Sequence, residues 1–407
     1  MEASHQVGVV VPSTPVFDLP EELMYNIFLD VCKNNILQTL KLCLVCKRWR
    51  KSILDASVLW SNIQFKSPPP YHFQERLLQR SKSAPLSITI DKIGCYVTGM
   101  RAIAMVIKLL RPHVHRFGSL NIISMKAKGV RTFFDELGHI KAPMLERLVV
   151  QQPVDAKKWI LKPFGGHATR LLTLHVACGR TNWDLSLLCN LTSLTLSISS
   201  WRYTWHINVF YILTTLAQTP YLQTLNLQVE LGHLAVGQTW IFTQIKLCHL
   251  TEINITSVNH YVYTSFAEEP WIAPLLCGIV APNLHRFPYA IPPLRLAALN
   301  DCPIFPLPGL QELQMIPSHT NSQSELALSR DSFPTLVKNL HQIRKLYLLG
   351  DQLNEIALQT LSTRLPYLDT LDITGFPPSI EGLNSMILAR ANNPDLSYLT
   401  SCAGSLF

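Results

Sequence analysis

Leu191-Thr192-Ser193-Leu194-Thr195-Leu196 is the stretch whose reading decides the fold. Apolar residues alternate with polar ones over its second half, which is the period of a half-buried strand. The same pattern returns on both sides. Toward the N-terminus stand Leu171-x-x-Leu174-x-Val176, Leu145-x-x-Leu148-x-Val150 and Phe117-x-x-Leu120-x-Ile122. Toward the C-terminus come Leu222-x-x-Leu225-x-Leu227, Leu250-x-x-Ile253-x-Ile255, Leu284-x-x-Phe287, Leu310-x-x-Leu313-x-Met315, Ile343-x-x-Leu346-x-Leu348 and Leu368-x-x-Leu371-x-Ile373. Their middle residues are 20 to 34 positions apart, about 28 on average. A fixed period of this size marks stacked units that each need a neighbour to bury their apolar side.

Several units open with Pro-x-Leu, at Pro143, Pro220, Pro282, Pro308 and Pro366. A proline just ahead of a strand costs no ladder hydrogen bond. The intervening segments read as amphipathic helices at Trp205 to Gln218, Phe333 to Leu340 and Glu355 to Leu365. The expectation is a strand, a turn and a helical or irregular return per unit, with one parallel sheet over residues 84–375. The second and third apolar residues of each unit then point inward. Their neighbours Asn121, Arg147, His175, Thr195, Asn226, Asn254, Gln314, Lys345 and Asp372 point outward.

The pattern resembles leucine-rich repeats, without the Asn that usually follows the strand. The resemblance implies an irregular α/β solenoid over residues 84–407.

The front of the chain reads differently. Phe17-Asp18-Leu19-Pro20-Glu21-Glu22-Leu23 starts a helix: proline suits the first turn, and two acids there complement the dipole. Leu23, Ile27, Phe28 and Val31 make an apolar stripe, and Asn34-Asn35 breaks the helix. A second helix carries Leu37, Leu40 and Leu44; a third carries Val45, Trp49 and Ile53 among Lys47, Arg48, Arg50 and Lys51. An all-α unit of roughly fifty residues is marginal alone, and its leucines outnumber what three short helices can hide, so another protein is expected to cover part of it.

Leu19-Pro20-x-Glu22-Leu23, Ile27-Phe28, the leucine-rich hairpin, Leu44-Val45-Cys46-Lys47-Arg48-Trp49-Arg50 and Leu59-Trp60 together resemble an F-box at residues 16–66. The resemblance implies docking to the Skp-type adaptor of a cullin–RING ubiquitin ligase. Its adaptor-facing positions fall on Leu19, Pro20, Leu23, Ile27, Leu37, Leu40, Val45 and Cys46, while Trp49 and Trp60 hold the hairpin. Residues 1–15 read as a disordered arm. Residues 67–83 form a linker, led by Lys66-Ser67-Pro68-Pro69-Pro70, and a short helix. With Glu75-Arg76-Leu77-Leu78-x-Arg80-Ser81-x-Ser83-Ala84-Pro85-Leu86, the whole is similar to the large fungal F-box families.

No apolar run reaches the length of a membrane span, and residues 1–15 lack a basic start before an apolar block. The ten cysteines are scattered among apolar residues, the usage of reduced thiols in the cytosol or nucleus. Cys43-x-x-Cys46 has metal-like spacing without a second pair and reads as adjacent helical core positions. His113-x-His115 reads as an exposed loop. No phosphate loop, nucleophile elbow or His-Glu-x-x-His helix is present, so no catalysis and no cofactor are expected.

The formal net charge of +8 is uneven: residues 71–170 alone carry 17 Lys/Arg against 6 Asp/Glu. Lys126, Lys128, Arg131, Arg147, Lys157 and Lys158 there are either a solvated outer surface or a site for an acidic or phosphorylated protein segment. Nucleic acid is disfavoured, because no aromatics are interleaved for base stacking. The expected function is that of a substrate-recognition adaptor, cytoplasmic or nuclear, with ubiquitin transfer left to other subunits. The alternative is a repeat scaffold or nucleic-acid-associated protein outside any ligase.

Overall fold

A computed structural model of the chain describes residues 19–32, 35–66, 70–93, 99–151, 159–161, 163–166, 168–177, 181–183, 188–198, 209–229, 244–257, 275–276, 278–290, 309–315, 342–349, 355–374, 380–397, 399 and 401–405. Helices α1 (Glu21–Cys32), α2 (Ile36–Leu42) and α3 (Lys47–Asp55) come first. Their ends are set locally. Asn35 caps α2 by accepting the Leu37 N–H at 3.0 Å, and Cys46 caps α3 through its Sγ, 3.4 Å from the Trp49 nitrogen. Leu44 and Val45 lie in the turn between α2 and α3, not in the helices expected of them. Cys43 is buried in the core at the end of α2, and Cys46 is half-buried at the start of α3, so the two lie on either side of a turn and not on one helix. Burial pushes the Cys43 thiol up, which keeps it protonated.

The polypeptide then enters a sheet earlier than the sequence suggested. Strand β1 (Asn62–Lys66) follows the helical turn Ser57–Trp60 and pairs in parallel with β2 (Leu86–Asp91). The unit at residues 16–66 is thus not all-α; its last strand is the first of the repeat sheet. Helix α4 (His72–Arg80) makes the return between β1 and β2. Trp60 is fully buried, donates to the Ile53 carbonyl at 2.8 Å, and lies under the Arg80 guanidinium at 4.6 Å.

Beyond β2 come α5 (Gly99–Leu110), β3 (Phe117–Ile123), α6 (Ala127–Leu137), β4 (Arg147–Gln151), β5 (Trp159–Leu161), β6 (Thr173–Ala177), β7 (Thr181–Trp183) and β8 (Ser193–Ile198). Then follow α7 (Val209–Leu216), β9 (Thr224–Val229), β10 (Ile245–Lys246), β11 (Glu252–Ser257), β12 (Ile279–Val280), β13 (Arg286–Ala290) and β14 (Glu312–Met315). The C-terminal end holds β15 (Lys345–Leu349), α8 (Glu355–Arg364), β16 (Thr370–Thr374), α9 (Ile380–Ala391) and β17 (Ser401–Ser405). Thirteen of these strands form one parallel sheet in the order β1-β2-β3-β4-β6-β8-β9-β11-β13-β14-β15-β16-β17. Strands β5 with β7 and β10 with β12 make two small accessory pairs.

All ten repeat copies named from the sequence lie on or at the mouth of a sheet strand. Their middle residues stand in register: Ile63, Ile88, Leu120, Leu148, Leu174, Leu194, Leu225 and Ile253, then Phe287, Leu313, Leu346, Leu371 and Cys402. The leading residues Phe117, Leu145, Leu171, Leu191, Leu222, Leu250, Leu284, Leu310, Ile343 and Leu368 are buried as well. The sheet runs past residues 84–375 at both ends, because β1 and β17 extend the ladder. Of the expected helices, Trp205 to Gln218 is α7 from Val209 onward, Glu355 to Leu365 is α8, and Phe333 to Leu340 lies outside the described residues.

A backbone device holds the units in register in place of the missing Asn. The carbonyl just before a strand accepts two consecutive N–H groups from the next unit. Glu146 O takes Leu172 and Thr173, Leu172 O takes Thr192 and Ser193, and Thr192 O takes Gln223 and Thr224. Gln223, Thr251, His285, Gln311 and Arg344 continue the series, all at 2.8 to 3.2 Å. Because these groups are backbone, the side chains at the positions are free to vary.

Pro288 sits inside β13 and has no N–H to give. The β11–β13 ladder pairs Glu252 with Arg286 and resumes at Ile255 with Tyr289, skipping the stretch opposite the proline, while pairing to β14 is continuous. At the far end, buried Arg390 of α9 donates to the carbonyls of Leu361, Leu365 and Leu368 at 2.7 to 3.0 Å and to Ser397 O at 3.2 Å. It thereby satisfies carbonyls at the end of α8 and in the turns that follow α8 and α9.

Candidate functional site

Two surfaces carry side chains that the fold itself does not use. The first is on the N-terminal helices. In α1, Met24, Phe28 and Cys32 are buried, and Phe28 meets Trp49 edge-on with ring centroids 5.1 Å apart. The expected stripe of Leu23, Ile27, Phe28 and Val31 is therefore split: Phe28 faces the core, while Leu23, Ile27 and Val31, four residues apart, face away. Together with Leu37 of α2 and Leu44 and Val45 of the next turn, they are 46% to 74% exposed. Exposed apolar groups on two adjoining helices and the following turn are the mark of a surface that another molecule covers.

The residues the sequence singled out for that surface divide. Pro20, Leu23, Ile27, Leu37 and Val45 are exposed. Leu19 and Leu40 are partly buried against the core, with the Leu19 carbonyl accepting from Arg48 at 3.1 Å. Cys46 is half-buried and accepts the Trp49 N–H as the α3 cap. Val31 and Leu44, read from the sequence as apolar helix positions but not among the adaptor-facing ones, are exposed beside them; Val31 follows Ile27 by four residues, on the same helix row.

The second surface is the sheet face turned away from the helices. From β2 to β11 its outward positions are mostly hydroxyl and amide: Ser87, Thr89, Asn121, Thr195, Asn226 and Asn254 among them. Asn226 donates to Thr195 Oγ1 at 3.2 Å across one strand gap. His175 lies among them, half-buried, and burial holds its pKa below the ordinary histidine value. Further along, Arg286 bridges Glu252 at 3.6 Å and Glu312 at 3.2 Å, one cation shared between two carboxylates.

The basic residues do not converge. Lys126 precedes α6; Lys128 and Arg131 project from that helix, whose Val130, Phe133, Phe134 and Leu137 face the core. Arg131 is also beside Asp135, one turn on, at 3.5 Å. Arg147 belongs to β4 and points from the opposite side of the sheet, between Ser119 and Thr173. Lys157 and Lys158 lie outside the described residues. Lys126, Lys128 and Arg131 thus stand on the helix layer and Arg147 on the opposite face of the sheet, because helix and strand side chains leave the two layers in opposite directions. His113 and His115 are in a helical turn, not an open loop, and burial, then Arg116 and His115, lowers the His113 pKa. Among the described residues no group of three His, Cys, Asp or Glu could hold a metal, and no helix is long and apolar enough to cross a membrane.

The F-box-like family model matches residues 16–66, the unit that carries the exposed apolar surface. No curated protein matches the chain. Among solved structures, the TLR13–ssRNA13 complex aligns with a TM-score of 0.41 at 15% identity, over 75% of this chain and 37% of that one. A protein from Bacteroides fragilis aligns with a TM-score of 0.34 at 10% identity, over 57% of this chain and 65% of that one. The chain therefore spans well under half the length of the TLR13 chain. The helical F-box-like start and the parallel α/β repeat region make up the architecture.

Proposed function

We propose that this chain is the substrate-recognition subunit of a Skp/cullin/F-box ubiquitin ligase, with the α1–α2 surface docking the Skp-type adaptor and the repeats holding a protein substrate. The observation that carries the reading is the exposed row Leu23, Ile27 and Val31 with Leu37, Leu44 and Val45, inside the segment that matches the F-box-like family. Because β1 leads directly from that segment into the repeat sheet, adaptor and substrate would be held at a fixed separation. The chain contributes proximity, and the chemistry of ubiquitin transfer belongs to other subunits.

The test compares the intact chain with the double variant Leu23→Glu/Ile27→Glu in co-purification with a Skp-type adaptor and a cullin. Two charges in the centre of an apolar interface should weaken binding roughly a hundredfold or more. Both side chains are exposed, so thermal unfolding should not change. Retention of adaptor and cullin at the wild-type level would overturn the reading and favour a repeat scaffold outside any ligase.

A further inference from the structure

Along the N-terminal ends of the strands in the middle of the sheet, a groove of about 580 Å³ crosses five successive units. In order along it stand Glu146, Arg170 with Leu172, Asn190 with Thr192, Tyr221 with Gln223, and His249. These residues sit in the turns before β4, β6, β8, β9 and β11, at equivalent places, so the repeat itself lines them up. The groove floor is the paired-carbonyl ladder already described, whose acceptors at Glu146, Leu172, Thr192 and Gln223 are filled by the next unit. Backbone there has little to offer a ligand, and recognition falls to side chains.

We infer that this groove binds an extended polypeptide segment of about six residues. Four strand-to-strand steps of about 4.8 Å give a length of about 19 Å, which six extended residues span at about 3.3 Å each. Its chemistry varies along the way as a peptide's does. Tyr221 is 55% exposed and stacks obliquely on His249, with ring centroids 5.7 Å apart, and Leu172 is 42% exposed. Both make shelves for apolar or aromatic side chains. Arg170 and Glu146 are exposed and carry no ion pair among the described residues, so each is available for an opposite charge. One cation beside one anion suits a segment bearing an acidic and a basic residue in neighbouring positions, and does not suit a polyanion. The inference rests on the reading that the repeats hold a protein substrate, and it names the place and the class of segment.

The experiment is selection of the full-length chain against a displayed library of random 12-residue peptides, followed by titration of the best binder. Enriched peptides should share an acidic residue, a neighbouring basic one and an aromatic or large apolar residue. Tyr221→Ala should weaken the best binder about tenfold or more, and Arg170→Glu should do likewise. The swap Arg170→Glu/Glu146→Arg should select peptides with the acid and base exchanged, a result that general damage to the fold could not give. Absence of an enriched motif, or binding that none of these variants changes, would overturn the inference. Adaptor co-purification, measured on the same variants, should stay at the wild-type level. Its loss from the unmodified chain would instead count against the ligase reading and leave the peptide result standing.

Discussion

The helical start and the repeat sheet are built from the same residue, leucine, and treat it in opposite ways. In the sheet, Leu120, Leu148, Leu174, Leu194 and Leu225 are buried because each unit rests on the next through in-register strands. On α1, α2 and the turn after them, Leu23, Leu37 and Leu44 are open to solvent although the opposite faces of the helices are packed. The difference is not in propensity or hydrophobicity. A repeat receives its neighbour from its own chain, whereas this face of the helical unit has no neighbour among the described residues. A contiguous row of exposed apolar residues in an otherwise well-packed protein therefore points to association, and a buried row to stability.

That contrast can be broken most forcefully within the sheet. Leu225→Ala removes a fully buried side chain from the central ladder and should cost about 2–5 kcal/mol. Leu44→Ala, the same change on the helical face, should alter stability by no more than about 0.5 kcal/mol. Denaturant unfolding of the two variants side by side checks the pair, and equal losses would end the distinction between the regions.

The end of the sheet should show the next largest effect. Arg390→Met leaves the carbonyls of Leu361, Leu365, Leu368 and Ser397 without their donor, although it also relieves the burial of a charge whose pKa is itself lowered by that burial. The balance should be a loss of about 2–4 kcal/mol. It should fall on the last units, because a repeat array loses its weakest end first. Hydrogen exchange should report it as loss of protection in α8, β16 and α9 with β3 and β4 unaffected.

A smaller effect should come with pH. Burial lowers the pKa of His175 and of His113, so both bind protons more readily in the unfolded chain. Stability contributed by keeping them neutral is complete above the unfolded value of about 6.5 and is lost as pH falls from there through the lower folded values. His175→Gln should flatten part of that decline in thermal unfolding measured between neutral and mildly acidic pH. An unaltered slope would show that His175 does not titrate as its burial implies.

Much of the fold is legible in the sequence. The middle residue of each copy, from Leu120 to Leu371, marks a strand because burial of one side every second residue leaves a signal that survives variation elsewhere. Strand β17, Ser401–Ser405, left none: Ser401-Cys402-Ala403-Gly404-Ser405 has few strand-favouring residues, and it is held by pairing with β16. Strand β1 was hidden for another reason, since Asn62–Lys66 falls inside a segment whose landmarks are helical. Arg390 reads as one more surface cation until the end of α8 and the turns beyond it supply carbonyls. The groove residues Glu146, Arg170, Tyr221 and His249 are separated by 20 or more positions and share no residue type, so only the repeat's geometry gathers them.

By itself, the sequence determined the architecture: three short helices from apolar spacing, Pro20 and the Asn34-Asn35 break, then a parallel repeat sheet from a pattern returning about every 28 residues. Local periodicity is enough for that, because each strand's inward side is written in its own alternation. It could not determine which side of α1 faces the core. Leu23 and Met24, Ile27 and Phe28, Val31 and Cys32 form two adjacent apolar rows of equal quality. Nor could it say whether the basic residues of segment 71–170 share a face. The tertiary structure decided both, by the packing of Phe28 on Trp49 and by the separation of helix and strand layers. Burial depends on what lies opposite a side chain, and that is a property of the assembled chain, not of any one stretch of it.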